Sequence, residues 1–224
     1  MGSPGPLKLV VFDLDGTLID GYAAIADALS HALGRLGLPA RPLAEVRAMV
    51  GHGLELLVEG CVGPSLATEG VRLFRERYPE VAVEKSELLE GVPEVLAELE
   101  RRGLEMALAS NKPAPFSRLI LEAKGIARFF SSIEGPGPET PAKPDPAMLR
   151  SAMRRAGAGA GTTVAVGDME VDSEFARAAG CAVVLVPKGS RTRKELERVD
   201  ADALLDDLRH LPDWIDARAR HSPR

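Results

Sequence analysis

Leu9-Val10-Val11-Phe12-Asp13-Leu14-Asp15-Gly16-Thr17-Leu18 is an apolar run that ends in two carboxylates one residue apart. Four consecutive apolar, β-favouring residues suit a strand covered on both faces, as in a parallel sheet packed between helices. Two carboxylates directly after it repel each other and resist burial, unless a cation or a proton-transfer task accounts for them. Gly16 lets the backbone turn sharply, and Thr17 adds a hydroxyl able to orient a carboxylate or phosphate oxygen. Asp-Gly is also a common turn dipeptide, so on this stretch alone an acidic turn competes with a catalytic pair.

Downstream, residues 21 to 78 change character. Ala23, Ile25, Ala26, Leu29, Leu33 and Leu36 recur at helical spacing, and further amphipathic stretches follow. Gly37-Leu38-Pro39, Gly51-His52-Gly53 and Gly63-Pro64 divide this block into four short predicted helices. From Leu88 the pattern alternates. Helices are expected over 92–102, 115–124, 146–156 and 171–179, and strands over 104–109, 131–134, 162–166 and 181–186. Alternating strands and helices imply a doubly wound parallel sheet of the α/β class, with the helical block inserted after strand one.

In such sheets ligands bind beyond the carboxyl ends of the strands. Three apolar runs end in small or acidic polar groups there: Phe12-Asp13, Ala109-Ser110-Asn111 and Val166-Gly167-Asp168. Lys143-Pro144 opens a helix after a Gly/Pro-rich loop and adds a cation. This inventory fits phosphoryl transfer, which needs a nucleophile, a metal, donors for the equatorial oxygens and an acid for the departing alkoxide. Asp13 is the candidate nucleophile and Asp15 the candidate acid/base. Asp13, the backbone carbonyl of Asp15 and Asp168 suit magnesium, with Asp172 ordering a bound water or ligand from behind. Lys143 would hold the phosphate and nucleophile together, while Ser110 binds non-bridging oxygens.

Composition narrows the classes. A chain of 224 residues, 45% hydrophobic and 27% charged, can bury a full core. A net charge of −5 argues against a general binder of nucleic-acid polymers or anionic membranes. Cys61 and Cys181 form no Cys-x-x-Cys pattern, so they read as small buried hydrophobes. The opening Met-Gly-Ser-Pro-Gly-Pro has no cationic or apolar segment of signal-peptide kind, and no stretch reaches membrane-span length; a cytoplasmic protein is expected.

Asp13-Leu14-Asp15-Gly16-Thr17, Ser110-Asn111-Lys112-Pro113, Lys143-Pro144 and Gly167-Asp168-Met169-Glu170-Val171-Asp172 resemble, in order and spacing, the four motifs of the haloacid dehalogenase-like hydrolase superfamily. The resemblance runs from about residue 8 to 187. It implies a Rossmann-like core of residues 1–19 and 88–224, a helical cap of residues 20–87, a magnesium requirement and an aspartyl-phosphate route. Within the superfamily, Asn111-Lys112-Pro113, Lys143-Pro144-Asp145-Pro146, Gly51-His52-Gly53 and Ala178-Ala179-Gly180-Cys181 look most like phosphoglycolate phosphatases.

The implied activity is hydrolysis of a small phosphomonoester, with 2-phosphoglycolate favoured over other sugar phosphates or nucleotides. A β-phosphoglucomutase-like transfer and a catalytically silent phosphate-binding module are the alternatives. Asp15 stands where haloacid dehalogenases lack an acid, and no lysine lies between Lys8 and Lys85 to serve a phosphonate hydrolase. Thr17 and Asn111 are candidate substrate contacts. His52, in a glycine-flanked bend, could reach substrate from the cap or be only part of a turn. Arg47 could meet a substrate carboxylate or lie on a solvated helix face. Both a monomer and a homodimer are compatible with the sequence. Trp214 with Leu208, Leu211 and Ile215 is expected to pack a terminal helix, and the tail from Arg218 to be disordered.

Overall fold

The first apolar run forms strand β1 (Leu9–Phe12), with all four side chains buried. The structure, a computed structural model, describes residues 6–221. Residues 1–5, most of the opening read for a signal segment, and residues 222–224 of the tail lie outside the described residues. Val10 and Phe12 pack into one hydrophobic core, Leu9 and Val11 into the other. Side chains alternate across a strand, so a one-residue slip would exchange the two cores. Burying a valine or leucine completely contributes about 1.5–3 kcal/mol, which fixes the register of the strand that carries Asp13.

Strand β2 (Ile19–Asp20) leads into helices α1 (Tyr22–Arg35), α2 (Leu43–Met49), α3 (Leu54–Val62) and α4 (Ala67–Val81). The chain returns through β3 (Glu87–Leu88), paired antiparallel with β2. The two passages between the helical block and the sheet thus lie side by side. The alternating part follows as α5 (Val92–Arg101), β4 (Glu105–Ala109), α6 (Ala114–Ala123), β5 (Ser132–Glu134) and α7 (Ala147–Arg155). It continues through β6 (Thr163–Gly167), α8 (Glu170–Ala178), β7 (Ala182–Leu185), α9 (Arg193–Leu196), β8 (Ala203–Leu204) and α10 (Leu211–His221).

Among the described residues six strands form one sheet, in the order β5-β4-β1-β6-β7-β8, with every pairing parallel. This is the expected doubly wound α/β architecture. The chain builds outward from β1 in one direction through β4 and β5, then in the other through β6 and β7, so the crevice of a switch point opens at the end of β1.

The elements differ from the sequence reading in three places. Helices α1 and α4 span 14 and 15 residues, and α4 continues past Tyr78, with Pro79 near its end, to Val81. Strands β2, β3 and β8 are two residues each, too short to leave a period in the sequence. The segment after Arg218 is helical to His221 rather than disordered. Leu211 and Ile215 are buried in the core, Trp214 packs against it, and the Arg218 guanidinium lies 5.6 Å from the Trp214 ring centroid. Among the described residues no helix is long and apolar enough to cross a membrane.

Candidate active site

Asp13 follows β1, Ser110 to Lys112 follow β4, and Asp168 follows β6, so three neighbouring strands deliver polar groups to one end of the sheet. Lys143 enters from the loop before α7. Its Nζ donates to Asp13 Oδ1 at 2.7 Å and to Asp172 Oδ1 at 2.8 Å. The other Asp172 oxygen accepts from the backbone N–H groups of Asp168 and Met169, each at 3.1 Å. Asp172 therefore ties the first turn of α8 to the loop before it and holds Lys143 against Asp13. Asn111 does similar work from the opposite side. Its Oδ1 accepts from Lys143 N at 2.7 Å, and its Nδ2 donates to Gly51 O at 2.8 Å and to Lys143 O at 3.3 Å.

These charges are buried, so their pairing decides their state. Burial works against the ammonium of Lys143, but Asp13 and Asp172 more than offset it and hold its pKa above the ordinary lysine value. Asp168 is in the contrary position. Burial first, then Asp172 and Asp13, push its carboxyl well above the usual carboxylate range. Its side chain accepts from Ser190 N–H at 3.2 Å. A buried carboxylate so placed beside another is the donor chemistry that suits a hard divalent cation. Gly16 serves the same spot: it adopts φ +84°, and a Cβ there would come within 2.5 Å of Asp168 Oδ2.

The set expected to hold metal, Asp13, Asp15, Asp168 and Asp172, divides in the structure. Among the described residues no three His, Cys, Asp or Glu side chains group as a metal cluster. The Asp15 carboxylate is engaged by Lys112, and both oxygens of Asp172 are taken by donors. The side chains of Asp13, through Oδ2, and Asp168 remain for a cation, with the Asp15 contribution confined to its backbone carbonyl. Few protein carboxylates completed by water and phosphate is a normal magnesium arrangement.

Above this floor the helical block supplies an apolar roof of Ile25, Val50, Leu54, Leu57 and Phe74. Several expected contacts are not brought to the cavity. The Thr17 hydroxyl is buried without a hydrogen-bond partner behind the Leu14–Leu18 turn, and Thr17 does not line the cavity. The Asn111 amide lines it but is committed to backbone groups. His52 is exposed and outside the lining, while its neighbour Gly51 sits directly against Met169. Arg47 stacks 4.4 Å over the Tyr22 ring and donates to Lys188 O and Gly189 O, both at 3.3 Å. It fastens α2 to the loop after β7 instead of facing the interior.

The sequence motifs assign Lys112 no role of its own. It is buried, its Nζ lies 2.7 Å from Asp15 Oδ2, and it donates to Tyr78 Oη at 2.7 Å. The signal for it was present, since a lysine between Asn111 and Pro113 at a buried strand end must find a carboxylate.

Residues 10–186 match the family model of haloacid dehalogenase-like hydrolases. The chain is 37% identical over 222 residues to a phosphoglycolate phosphatase of Pseudomonas syringae pv. syringae, covering 95% of this chain and 81% of that relative. Its fold is similar to the crystal structure of a predicted phosphoglycolate phosphatase from Haemophilus somnus, with TM-score 0.83, 27% identity and coverage of 93% and 97% of the two chains. It is also similar to that of a predicted phosphatase from Clostridium acetobutylicum, with TM-score 0.86, 23% identity and coverage of 95% and 100%.

Proposed function

Because the chain belongs to the haloacid dehalogenase-like hydrolase family and is a phosphoric monoester hydrolase, we propose that it is a magnesium-dependent phosphatase acting through a phosphoaspartate on Asp13. The preferred substrate is 2-phosphoglycolate, which the name of the Pseudomonas syringae relative supports. The observation that carries this reading is the floor of the cavity, where Asp13 is held 2.7 Å from Lys143, with Asp15 two residues on and Asp168 beside them.

Asp13, through a carboxylate oxygen, attacks phosphorus opposite the leaving oxygen. Asp15, released from Lys112 and protonated from solvent as substrate binds, gives the leaving oxygen that proton as its bond to phosphorus breaks, and the alcohol departs. Asp15, now a carboxylate, takes a proton from water as the water oxygen attacks phosphorus. The bond to Asp13 breaks, inorganic phosphate leaves, and both carboxyl groups return to their starting states. Lys143 keeps the nucleophile oriented and meets phosphate charge, while Ser110 and nearby N–H groups supply donors to the non-bridging oxygens. Asp13 and Asp168, with the Asp15 carbonyl, would hold magnesium, which when bound neutralises phosphate charge.

Residues 20–87 act as a cap that excludes water over a core of residues 1–19 and 88–224. The apolar roof supports a small leaving group over a hexose or nucleoside, whose many hydroxyls would be buried there unpaired. The same reading makes the partner a small phosphorylated metabolite and the compartment the cytoplasm. Phosphate release from a panel of 2-phosphoglycolate, hexose phosphates and nucleotides tests it. Fastest turnover of 2-phosphoglycolate is expected, lost on chelation and restored by magnesium. Folded protein that releases phosphate from none of them would overturn it.

A further inference from the structure

Lys112 stands in the cavity wall where floor and roof meet. Its Nζ is 2.9 Å from Asp15 Oδ1 and 2.7 Å from Asp15 Oδ2, and 2.7 Å from Tyr78 Oη. An ammonium has three donors, and both Asp15 oxygens and Tyr78 Oη lie within reach of them. The Tyr78 oxygen accepts from Lys112, so its own O–H is spare, and no acceptor for it occurs among the described residues. The ammonium and this spare O–H stand side by side on residues that both line the cavity, and a ligand carboxylate can take over an N–H from the two-oxygen Asp15 contact. Tyr78 is held rigidly there, its ring stacked on Phe74 at 5.2 Å and tilted against Phe116 at 4.9 Å.

We propose that Lys112 and Tyr78 form a carboxylate subsite, and that it selects phosphate esters of short hydroxy acids. The inference rests on the phosphatase reading above, in which Asp15 serves the bridging oxygen. Lys112 touches Asp15, so a carboxylate one methylene away from that oxygen comes within reach of the ammonium. Among the described residues lining the cavity, the cations are Lys112 and Lys143; Lys143, held between Asp13 and Asp172, serves the phosphate end, which leaves Lys112 for the other end of the substrate. Tyr78 Oη is the polar side-chain group that the helical block adds to the described lining. A sugar hydroxyl has no other side-chain partner on that roof, whereas a carboxylate meets a matched pair of donors. A substrate carboxylate that draws Lys112 toward itself also releases Asp15 to turn to the bridging oxygen, so the selecting group and the reacting group are linked.

The test compares 2-phosphoglycolate with 2-hydroxyethyl phosphate, which replaces the carboxylate by a hydroxymethyl group. The wild-type protein should prefer 2-phosphoglycolate in kcat/KM. In Lys112→Met that preference should shrink by about 30-fold, the range of a hydrogen bond to a charged group. In Tyr78→Phe, which keeps the ring packing, it should shrink by about 5-fold, as expected for a neutral donor. In Arg47→Ala it should stay as in the wild type. Equal losses for both esters in Lys112→Met and Tyr78→Phe would mean that the pair only positions Asp15, and would overturn the subsite while leaving the phosphatase reading intact. So would a wild-type protein that hydrolyses both esters without preference. Turnover of neither ester by a wild type that hydrolyses another phosphomonoester of the panel would overturn the subsite and the choice of 2-phosphoglycolate, and turnover of no phosphomonoester at all would sink the phosphatase reading itself. Should Lys112→Met fail to fold, Tyr78→Phe decides alone.

Discussion

The floor and the roof of the cavity are built on opposite principles. The floor collects Asp13, Asp15 and Asp168 after buried parallel strands, with Lys143 from the loop before α7 and Asp172 from the first turn of α8, each held by a short polar contact or a neighbouring charge. The roof is made of aliphatic and aromatic side chains from helices, with the Tyr78 hydroxyl at its border. Chemistry that must handle a phosphoryl group belongs on the rigid part, where preorganised charge needs no rearrangement at the moment of reaction. Selection and exclusion of water belong on the part that can be remodelled without moving that charge.

The division predicts a steep gradient of effects. The largest belongs to Asp13→Asn, which should lower kcat on any phosphomonoester by about 10⁵-fold or more, because in the proposed route Asp13 carries the covalent intermediate. Measurable turnover near the wild-type rate would remove the nucleophile from Asp13 and end the contrast. Asp15→Asn comes next. It should cost about 10³-fold on an alkyl phosphate, within the range for a general acid/base, and clearly less on an aryl phosphate whose leaving group needs no proton. Equal losses on the two esters, measured as kcat, would reduce Asp15 to a structural partner of Lys112.

At the small end, Arg47→Ala removes two long hydrogen bonds from a partly exposed side chain to carbonyls of the loop after β7. We expect KM to rise by about 2- to 5-fold with kcat nearly constant, since such bonds are worth of order 1 kcal/mol or less. A loss approaching that of Asp15→Asn in steady-state assays would bring the helical block into the chemistry.

The same contrast explains what was legible in the sequence. The floor could be read because Asp13, Ser110 and Asp168 each lie next to an apolar strand of four or five residues, and strand ends in a doubly wound sheet converge by topology alone. Asp13, Ser110 and Asp168 needed no knowledge of packing to be grouped. The roof could not be read in this way. Helical periodicity says which residues face inward but not which inward face meets the substrate, so His52 and Arg47 stand out as candidates while Ile25 is only one of a helical series and Leu54 and Tyr78 carry no signal of their own. Hydrogen-bond commitments were equally hidden. Nothing in Asn111 or Thr17 as letters tells that the one is bound to the Lys143 backbone and the other buried behind a turn. Lys112 is the instructive omission, a charge beside a motif whose need for a partner could have been inferred from burial alone.

The pairing of β2 with β3 has a consequence for the history such a chain can have. Its two strands run antiparallel in direct register, Ile19 opposite Leu88 and Asp20 opposite Glu87. Neighbouring strands lie about 4.8 Å apart, so everything from Gly21 to Ser86 leaves and rejoins the sheet through a doorway one strand-spacing wide. To the sheet, that long excursion is equivalent to a hairpin turn. A segment joined in this way can be lengthened, trimmed or replaced by an unrelated one without shifting β1 or the acids at its end. A lineage built on such a doorway can change its diet while inheriting its teeth.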